Sequence, residues 1–339
     1  MFKLNYPKFW NKIGIISVLL YPLSLVYKLI SKIRKELITP KKINFPVICI
    51  GNATVGGTGK TILIKELAKH YLKNKYTVLI ITKGYGGNFV KPTFVEPNHP
   101  ISLAGDESLE IAKYLFDQGD VYILLAKDPV DAIFEIESIN PDIILLDDGM
   151  QNPSISKDLN ILTVDGSRCF GNKLLFPAGP LREDYTIAIY RSDIIVSINP
   201  LEYTKNFLRE FSKNTPEFLK AEIFLENAKE IQAKSKYFIF CGVGNPERFE
   251  SWINKQYDIV GSKFFQDHHK YTKQDIEKIN KEAINSGAEI IITTNKDYVK
   301  ISEADFSLPI KVASISIDKH DMSNLIYQIE SKLNISHKK

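Results

Sequence analysis

Lys60 and Thr61 close the run GNATVGGTGKT, Gly51 to Thr61, and are residue types suited to phosphate chemistry. A lysine after a glycine-rich loop can reach the β- and γ-phosphates of a nucleoside triphosphate, and the hydroxyl beside it can ligate Mg²⁺. The regular pattern, G-x-x-x-x-G-K-[ST], has glycine where Thr54 stands here, so the context has to decide. PVICIG reads as a strand, Thr54, Val55, Gly56, Gly57, Thr58 and Gly59 as the loop, and TILIKELAKHYL as an amphipathic helix from Thr61. A strand that runs through such a turn into a helix aims main-chain N–H groups and the helix dipole at an anion. Gly56, Gly57 and Gly59 supply the backbone freedom that close approach requires. ATP and Mg²⁺ are the expected cofactors, held by residues 54–61.

A nucleotide site of this kind also wants an acid at the end of a neighbouring strand. DIILLDDGMQN supplies Asp147 and Asp148, both candidate metal ligands, with Gln151 three residues on to orient nucleotide or acceptor. The alternative for the acids is a solvated pair at a strand end.

The elements that must position these residues are apolar runs alternating with helical patterns. PVICIG, YTVLIIT, VYILLA, DIILLDD, LNILTVD and SDIIVSI read as strands, with ILIKELAKHYLKN and ESLEIAKYLFDQ among the helices. Continuous apolar strands are buried on both faces, which implies an α/β fold with a mainly parallel sheet flanked by helices. The pattern loosens after about residue 202 and resumes with KYFIFCGVGNPERF, AEIIITT and PIKVASISI, a second, smaller α/β domain. The expected division is an N-terminal segment 1–42, a P-loop domain 43–205, a connecting region 206–234 and a C-terminal domain 235–335, followed by a frayed SHKK tail.

The chain of 339 residues carries a net charge of +4, but residues 1–42 hold nine Lys/Arg against one acid. That local +8 leaves −4 for the remainder, which argues against a broad nucleic-acid-binding face. Between Lys12 and Lys28 lies the uncharged run IGIISVLLYPLSLVY, short for a membrane span at 15 residues when about 20 are needed. Ile16, Leu20, Leu23, Tyr27 and Ile30 recur at helical spacing, and Trp10, Tyr21 and Tyr27 suit a headgroup boundary. The reading is a basic interfacial helix on an anionic leaflet; the alternatives are a signal peptide, although no A-x-A-like cleavage site follows the run, and a helix packed on the protein's own core. Cys49, Cys169 and Cys241 are far apart, which suits a reducing compartment.

GGTGKT is similar to the deviant loop of partition and septum-positioning ATPases, yet Val55 stands where those carry a signature lysine. NKD at Asn295–Asp297 is one residue short of the guanine-reading N-K-x-D. In contrast, GNATVGGTGKT, TKGYGG, LAGDE, LLDDGMQ, FPAGPLRE, GVGNPERF, DHHKY and TTNKD, in that order, resemble the tetraacyldisaccharide 4′-kinase family over nearly the whole chain. Lys83 departs from that family's usual arginine in R-G-Y-G, keeping charge but losing bidentate geometry, and Ile62 stands where proline is common.

The resemblance implies a lipid A biosynthesis kinase that moves the γ-phosphate of ATP to the 4′-hydroxyl of an acylated glucosamine disaccharide 1-phosphate. It makes Asp106 the general base, Glu107 a metal or phosphate-site acid and His268, in preference to His269, the partner of Asp106. By themselves Asp106 and Glu107 read equally as acids favoured at a helix N-terminus. Arg182, in GPLRE, would neutralise the transferring phosphoryl, with a surface ion pair to Glu183 as its alternative. A membrane-bound acceptor gives the N-terminal helix its purpose and places the enzyme, expected as a monomer, on the cytoplasmic face of the inner membrane. A membrane-tethered regulatory ATPase is the enzymatic alternative, and a nucleotide-binding module without turnover the non-enzymatic one.

Overall fold

Several short runs of Val, Ile and Leu are apolar on both faces, so only a sheet covered on both sides can bury them. A computed structural model describes residues 6–211, 217–225, 235–244, 246–254 and 257–335 and assembles these runs into one eight-stranded sheet. Its strands are Val47–Gly51 (β1), Val78–Thr82 (β2), Thr93–Phe94 (β3), Val121–Leu125 (β4), Ile143–Asp147 (β5), Leu159–Asp165 (β6), Ile194–Ile198 (β7) and Glu217–Ala221 (β8). They lie in the order β3-β4-β2-β5-β1-β6-β7-β8, all parallel except the short edge strand β3. Ile48, Ile50, Val78 and Ile80 face one apolar cluster, while Val47, Cys49, Leu79 and Ile81 face the other. That alternation is the two-sided burial the sequence demanded.

The carboxyl ends of β1, β2 and β5 sit side by side at the centre of the sheet, where open α/β sheets bind ligands. From β1 the chain enters the glycine-rich loop and then helix α2, Lys60–Lys73, which starts one residue earlier than expected. (Helix α1 is the N-terminal Ile15–Glu36.) Gly59 caps α2 in a left-handed conformation at φ 89°, and a Cβ there would lie 2.8 Å from Ile198. Backbone strain and steric overlap both require glycine at this position. Helix α3, Asp106–Leu115, carries the acids of LAGDE at its first turn. Gly105 before it has φ 78°, and a Cβ there would sit 2.4 Å from the Tyr85 carbonyl, so TKGYGG and LAGDE pack main chain to main chain.

A second sheet of four parallel strands, Lys236–Cys241 (β10), Asp258–Phe264 (β11), Ile290–Thr294 (β12) and Ile310–Ala313 (β13), runs in the order β11-β10-β12-β13. Ile223–Leu225 (β9) and Ile315–Ile317 (β14) pair antiparallel in a two-stranded ribbon. This changes the expected division of the chain. Glu217–Ala221, placed by sequence in the connecting region, is the edge strand β8 of the large sheet. The helix Lys319–Leu333, assigned to the second domain, returns to the first and buries Met322, Leu325 and Ile329 in its core. The polarity of 202–222 concealed an edge strand, which needs apolar residues on only one face. The expectation for the SHKK tail falls outside the described residues.

Helix α1, 22 residues long, runs on past Lys28 to Glu36 and is long and apolar enough to cross a membrane, although it contains Pro22. Its buried residues are Ser17 and Ser24, whereas Ile16, Val18, Leu19, Leu23, Val26, Leu29 and Ile30 are all more than half exposed. A polar stripe holds it to the body. The Ser24 hydroxyl donates to the Leu175 carbonyl at 2.8 Å, the Tyr27 hydroxyl to the Arg182 carbonyl at 3.0 Å, and Lys35 pairs with Glu183 at 2.8 Å. The core-packed alternative is therefore excluded for α1, since its apolar side is the uncovered one. Trp10 differs from its expected headgroup position. It is 1% exposed, packs on Phe176 and donates to the Pro177 carbonyl at 3.0 Å.

Candidate functional site

The glycine-rich loop is pinned from both sides. The Val55 N–H donates to the Pro180 carbonyl at 2.8 Å, and Thr54 bridges Leu181. Asn52 donates its amide to the Gly56 carbonyl at 3.2 Å. The Thr58 and Thr163 hydroxyls lie 2.7 Å apart, and Thr163 donates to the Gly51 carbonyl at 3.0 Å. Thr58 thus spends its side chain on tying the loop to β6 and can offer a ligand only its main chain. The loop is a rigid cradle before any ligand arrives, which lowers the ordering cost of binding.

Asp147 ends β5 beside this cradle, buried, with one carboxylate oxygen accepting from Thr82 at 3.2 Å. Its other oxygen, also buried, has no hydrogen-bond partner among the described residues. Burial lifts its carboxyl to about 7 against the pull of Lys60, with Glu107 and Asp148 adding to the rise. A buried carboxylate with an orphaned oxygen is a poor arrangement by itself and a suitable one for a divalent cation, so Asp147 fits its metal role.

Asp148 behaves differently. At φ 56° it turns its carboxylate onto Arg182 at 2.6 Å and Lys60 at 3.4 Å, and Tyr85 donates to it at 3.3 Å. Burial opposes ionisation, but Lys60, Arg182 and Lys83 outweigh it and hold the carboxyl well below the usual range. The alternative for Arg182, a surface pair with Glu183, is not formed among the described residues. Glu183 instead binds Lys35 at 2.8 Å, Arg191 at 2.6 Å and the Gln151 amide at 2.7 Å. Gln151 also donates to the Asn52 carbonyl at 2.8 Å, so it braces the loop from behind.

From the second domain comes the DHHKY loop. His268 Nδ1 lies 2.7 and 2.9 Å from the two carboxylate oxygens of Asp106, although 162 positions separate them in sequence. Lys300 approaches Asp106 at 3.3 Å and the fully buried Asp297 at 3.2 Å. Burial again opposes ionisation of Asp106, but His268, Lys296 and Lys300 prevail and its carboxyl is held far below the ordinary range. His269 points elsewhere, binding Asp275 at 3.0 Å and stacking on Phe265 at 4.6 Å. The preference for His268 is thus the one the geometry fits.

Glu107 faces Lys296 at 3.7 Å and His268 at 4.0 Å. Among the described residues no three His, Cys, Asp or Glu side chains form a metal cluster. Thr61, Asp147, Asp148 and Glu107 are therefore not a four-ligand cage, because cations already hold Asp148 and face Glu107. Mg²⁺ needs no such cage, as it binds through one or two carboxylates and keeps its waters or phosphates. Lys83 sits 5.8 Å from the Tyr85 ring and acts electrostatically on Asp148. Sequence reasoning missed Tyr85, Lys296 and Lys300, although TKGYGG and TTNKD had been singled out; only the fold brings these motifs to Asp106 and Asp148.

A family model described as tetraacyldisaccharide-1-P 4′-kinase matches residues 16–334. Among curated relatives named tetraacyldisaccharide 4′-kinase, that of Rickettsia akari is 37% identical over 96% of this chain and 97% of its own length. That of Rickettsia typhi is 37% identical over 96% and 98%. A solved structure described as the "apo" form of LpxK from Aquifex aeolicus in complex with ATP matches with a TM-score of 0.68 at 24% identity, covering 94% of this chain and 99% of the other. That likeness establishes the fold, and the sequence matches establish the kinship: the chain belongs to the tetraacyldisaccharide-1-phosphate 4′-kinase family.

Proposed function

We propose that this protein transfers the γ-phosphate of ATP to the 4′-hydroxyl of a tetraacylated glucosamine disaccharide 1-phosphate. The observation that carries the reading is the Asp106–His268 contact of 2.7 Å, formed across the two domains. Family membership supplies the substrate class, and the structure described with ATP supplies the nucleotide.

The roles follow from what each group can do. Main-chain N–H groups of residues 56–61 cradle the phosphates, and Lys60 and Arg182 neutralise charge as the phosphoryl transfers. Asp148 holds those two cations in register. Thr61 and Asp147 would hold Mg²⁺, which when bound draws charge off the β- and γ-phosphates. Asp106 accepts the acceptor's proton and His268 keeps its carboxylate in place. A carboxylate so firmly ionised is a weak base. In a loose phosphoryl transition state little proton removal is needed early, so holding the hydroxyl in line is its larger task. Bringing Asp106 and His268 together closes the cleft and excludes water that would hydrolyse ATP.

Helix α1 lies along the membrane surface, at the cytoplasmic leaflet where ATP is found. At about 33 Å it is long enough to span, but its polar stripe runs from Ser17 to Lys35 and binds the body throughout. A spanning pose would carry Glu183 and Asn172 into hydrocarbon. Leu19 and Leu23, 73% and 56% exposed, are replaced by glutamate as a check. The double variant is expected to leave the membrane pellet with its melting temperature unchanged. Each charge costs up to about 2.5–3.5 kcal/mol in lipid and disturbs no protein contact. Retention in the pellet would refute the surface pose.

The test of the activity is transfer from γ-labelled ATP with Mg²⁺ in detergent micelles, with and without the tetraacyl disaccharide 1-phosphate. Labelled lipid, with little free phosphate when lipid is absent, is the expected result. Steady phosphate release without labelled lipid would instead indicate a regulatory ATPase.

A further inference from the structure

Lys296 has no role in the scheme above, yet it stands at its centre. It follows β12 on a one-turn helix, Asn295–Tyr298, capped by the Thr294 hydroxyl. Its Nζ lies 3.1 Å from His268 Nε2, 2.8 Å from Asp267 and 3.7 Å from Glu107, with the side chain 16% exposed.

We infer that Lys296 is a positioning residue that fixes His268 as the neutral tautomer protonated on Nδ1, and so aims the imidazole at Asp106. The argument is one of donors and acceptors. An ammonium group can only donate, so a 3.1 Å contact with Nε2 requires that nitrogen to carry a lone pair. An ionised carboxylate can only accept, so the contacts of 2.7 and 2.9 Å to Asp106 require the proton on Nδ1. Both ends of the ring therefore name the same tautomer. Burial works against the charge on Lys296, but Glu107, Asp267 and Asp106 outweigh it and keep it an ammonium.

The surroundings explain why a cation is needed there. Asp267 and Glu107 stand 3.8 and 4.0 Å from Nε2, and Lys300 faces Asp106 from the other side. Without the Lys296 ammonium, the two carboxylates that face Nε2 would favour a proton on that nitrogen or a turned ring. Lys296 fills that place with its own N–H. The chain Lys296–His268–Asp106 thereby runs from the second domain to the group that meets the acceptor hydroxyl.

This inference rests on the kinase reading for its consequence but not for its test. Full-length protein labelled with ¹⁵N-histidine is examined by NMR without substrate, and His268 is assigned from the signal lost in His268→Gln. The expected pattern is a pyrrole-like Nδ1 and a pyridine-like Nε2. An Nε2–H tautomer or a fully protonated ring at neutral pH overturns the proposal, whatever the enzyme's activity. Lys296→Met is expected to lose that pattern and lower kcat roughly 10- to 100-fold, by analogy with the loss of partners that orient metal-ligating imidazoles. KM for ATP should stay within about twofold, because Lys296 does not touch the glycine-rich loop. Lys296→Arg, which keeps charge and donor, should restore most of kcat. Unchanged kcat in Lys296→Met, or equal loss in the methionine and arginine variants, would also count against it.

Discussion

Asp106→Asn is expected to lower kcat by roughly 10²- to 10⁴-fold, the range for loss of a positioned acid–base group, with ATP binding nearly intact. Asparagine keeps the shape of the side chain but cannot accept a proton or balance the cations around it. Asp106 faces His268, Lys300 and Lys296, not the glycine-rich loop. Nucleotide affinity should therefore be insensitive to the change. His268→Ala should cost a similar factor, and the double variant little more than the worse single one, since groups acting as a unit are not additive. Label transfer into lipid measures turnover, and a fluorescent nucleotide measures binding separately. Because the 5%-exposed Lys300 side chain loses a partner in Asp106→Asn, a thermal melt must accompany the kinetics. A folded variant with near-normal kcat would remove Asp106 from the mechanism.

Lys60→Met should act on binding and turnover together. Its ammonium is the first residue of α2, 3.4 Å from Asp148 and close enough to Asp147 to oppose that group's rise. Its removal is expected to weaken ATP binding at least tenfold and to lower kcat by about 10²- to 10³-fold, as for loss of one preorganised donor to developing charge. Arg182 would still neutralise Asp148 at 2.6 Å, so the fold should survive. Equilibrium binding and single-turnover transfer separate the two effects. If kcat fell while ATP affinity held, Lys60 would be acting on the transferring phosphoryl alone.

The central sheet was legible because five- and seven-residue apolar runs admit one arrangement, and the loop because it falls between such a run and a helix. Other features were hidden for identifiable reasons. Glu217–Ala221 is half-buried and polar enough to pass for a linker, so β8 went unseen. The helix Lys319–Leu333 reads as amphipathic wherever it packs, and periodicity does not say against which sheet. Trp10 looks like a headgroup residue until Phe176 and Pro177, far along the chain, are found around it. Asp106 and His268 could be paired only through resemblance, since no local pattern joins residues 162 positions apart. Lys296 stood in a recognised motif and Lys300 three residues beyond it, but their work is done across the cleft.

The seam between helix α1 and the loop carrying Arg182 bears on how this enzyme can be handled. Tyr27 bonds the main chain of Arg182, Lys35 bonds its neighbour Glu183, and Ser24 bonds Leu175 and Ala178 on the same segment. Helix α1 is thus a wall of the candidate site and not a tether attached to it. Trimming it to obtain a soluble fragment would unseat the loop that carries Arg182. Even a short-chain acceptor, free in water and needing no membrane, should be phosphorylated poorly by such a fragment. Solubility is better sought by repainting the outward face of α1 than by cutting it away.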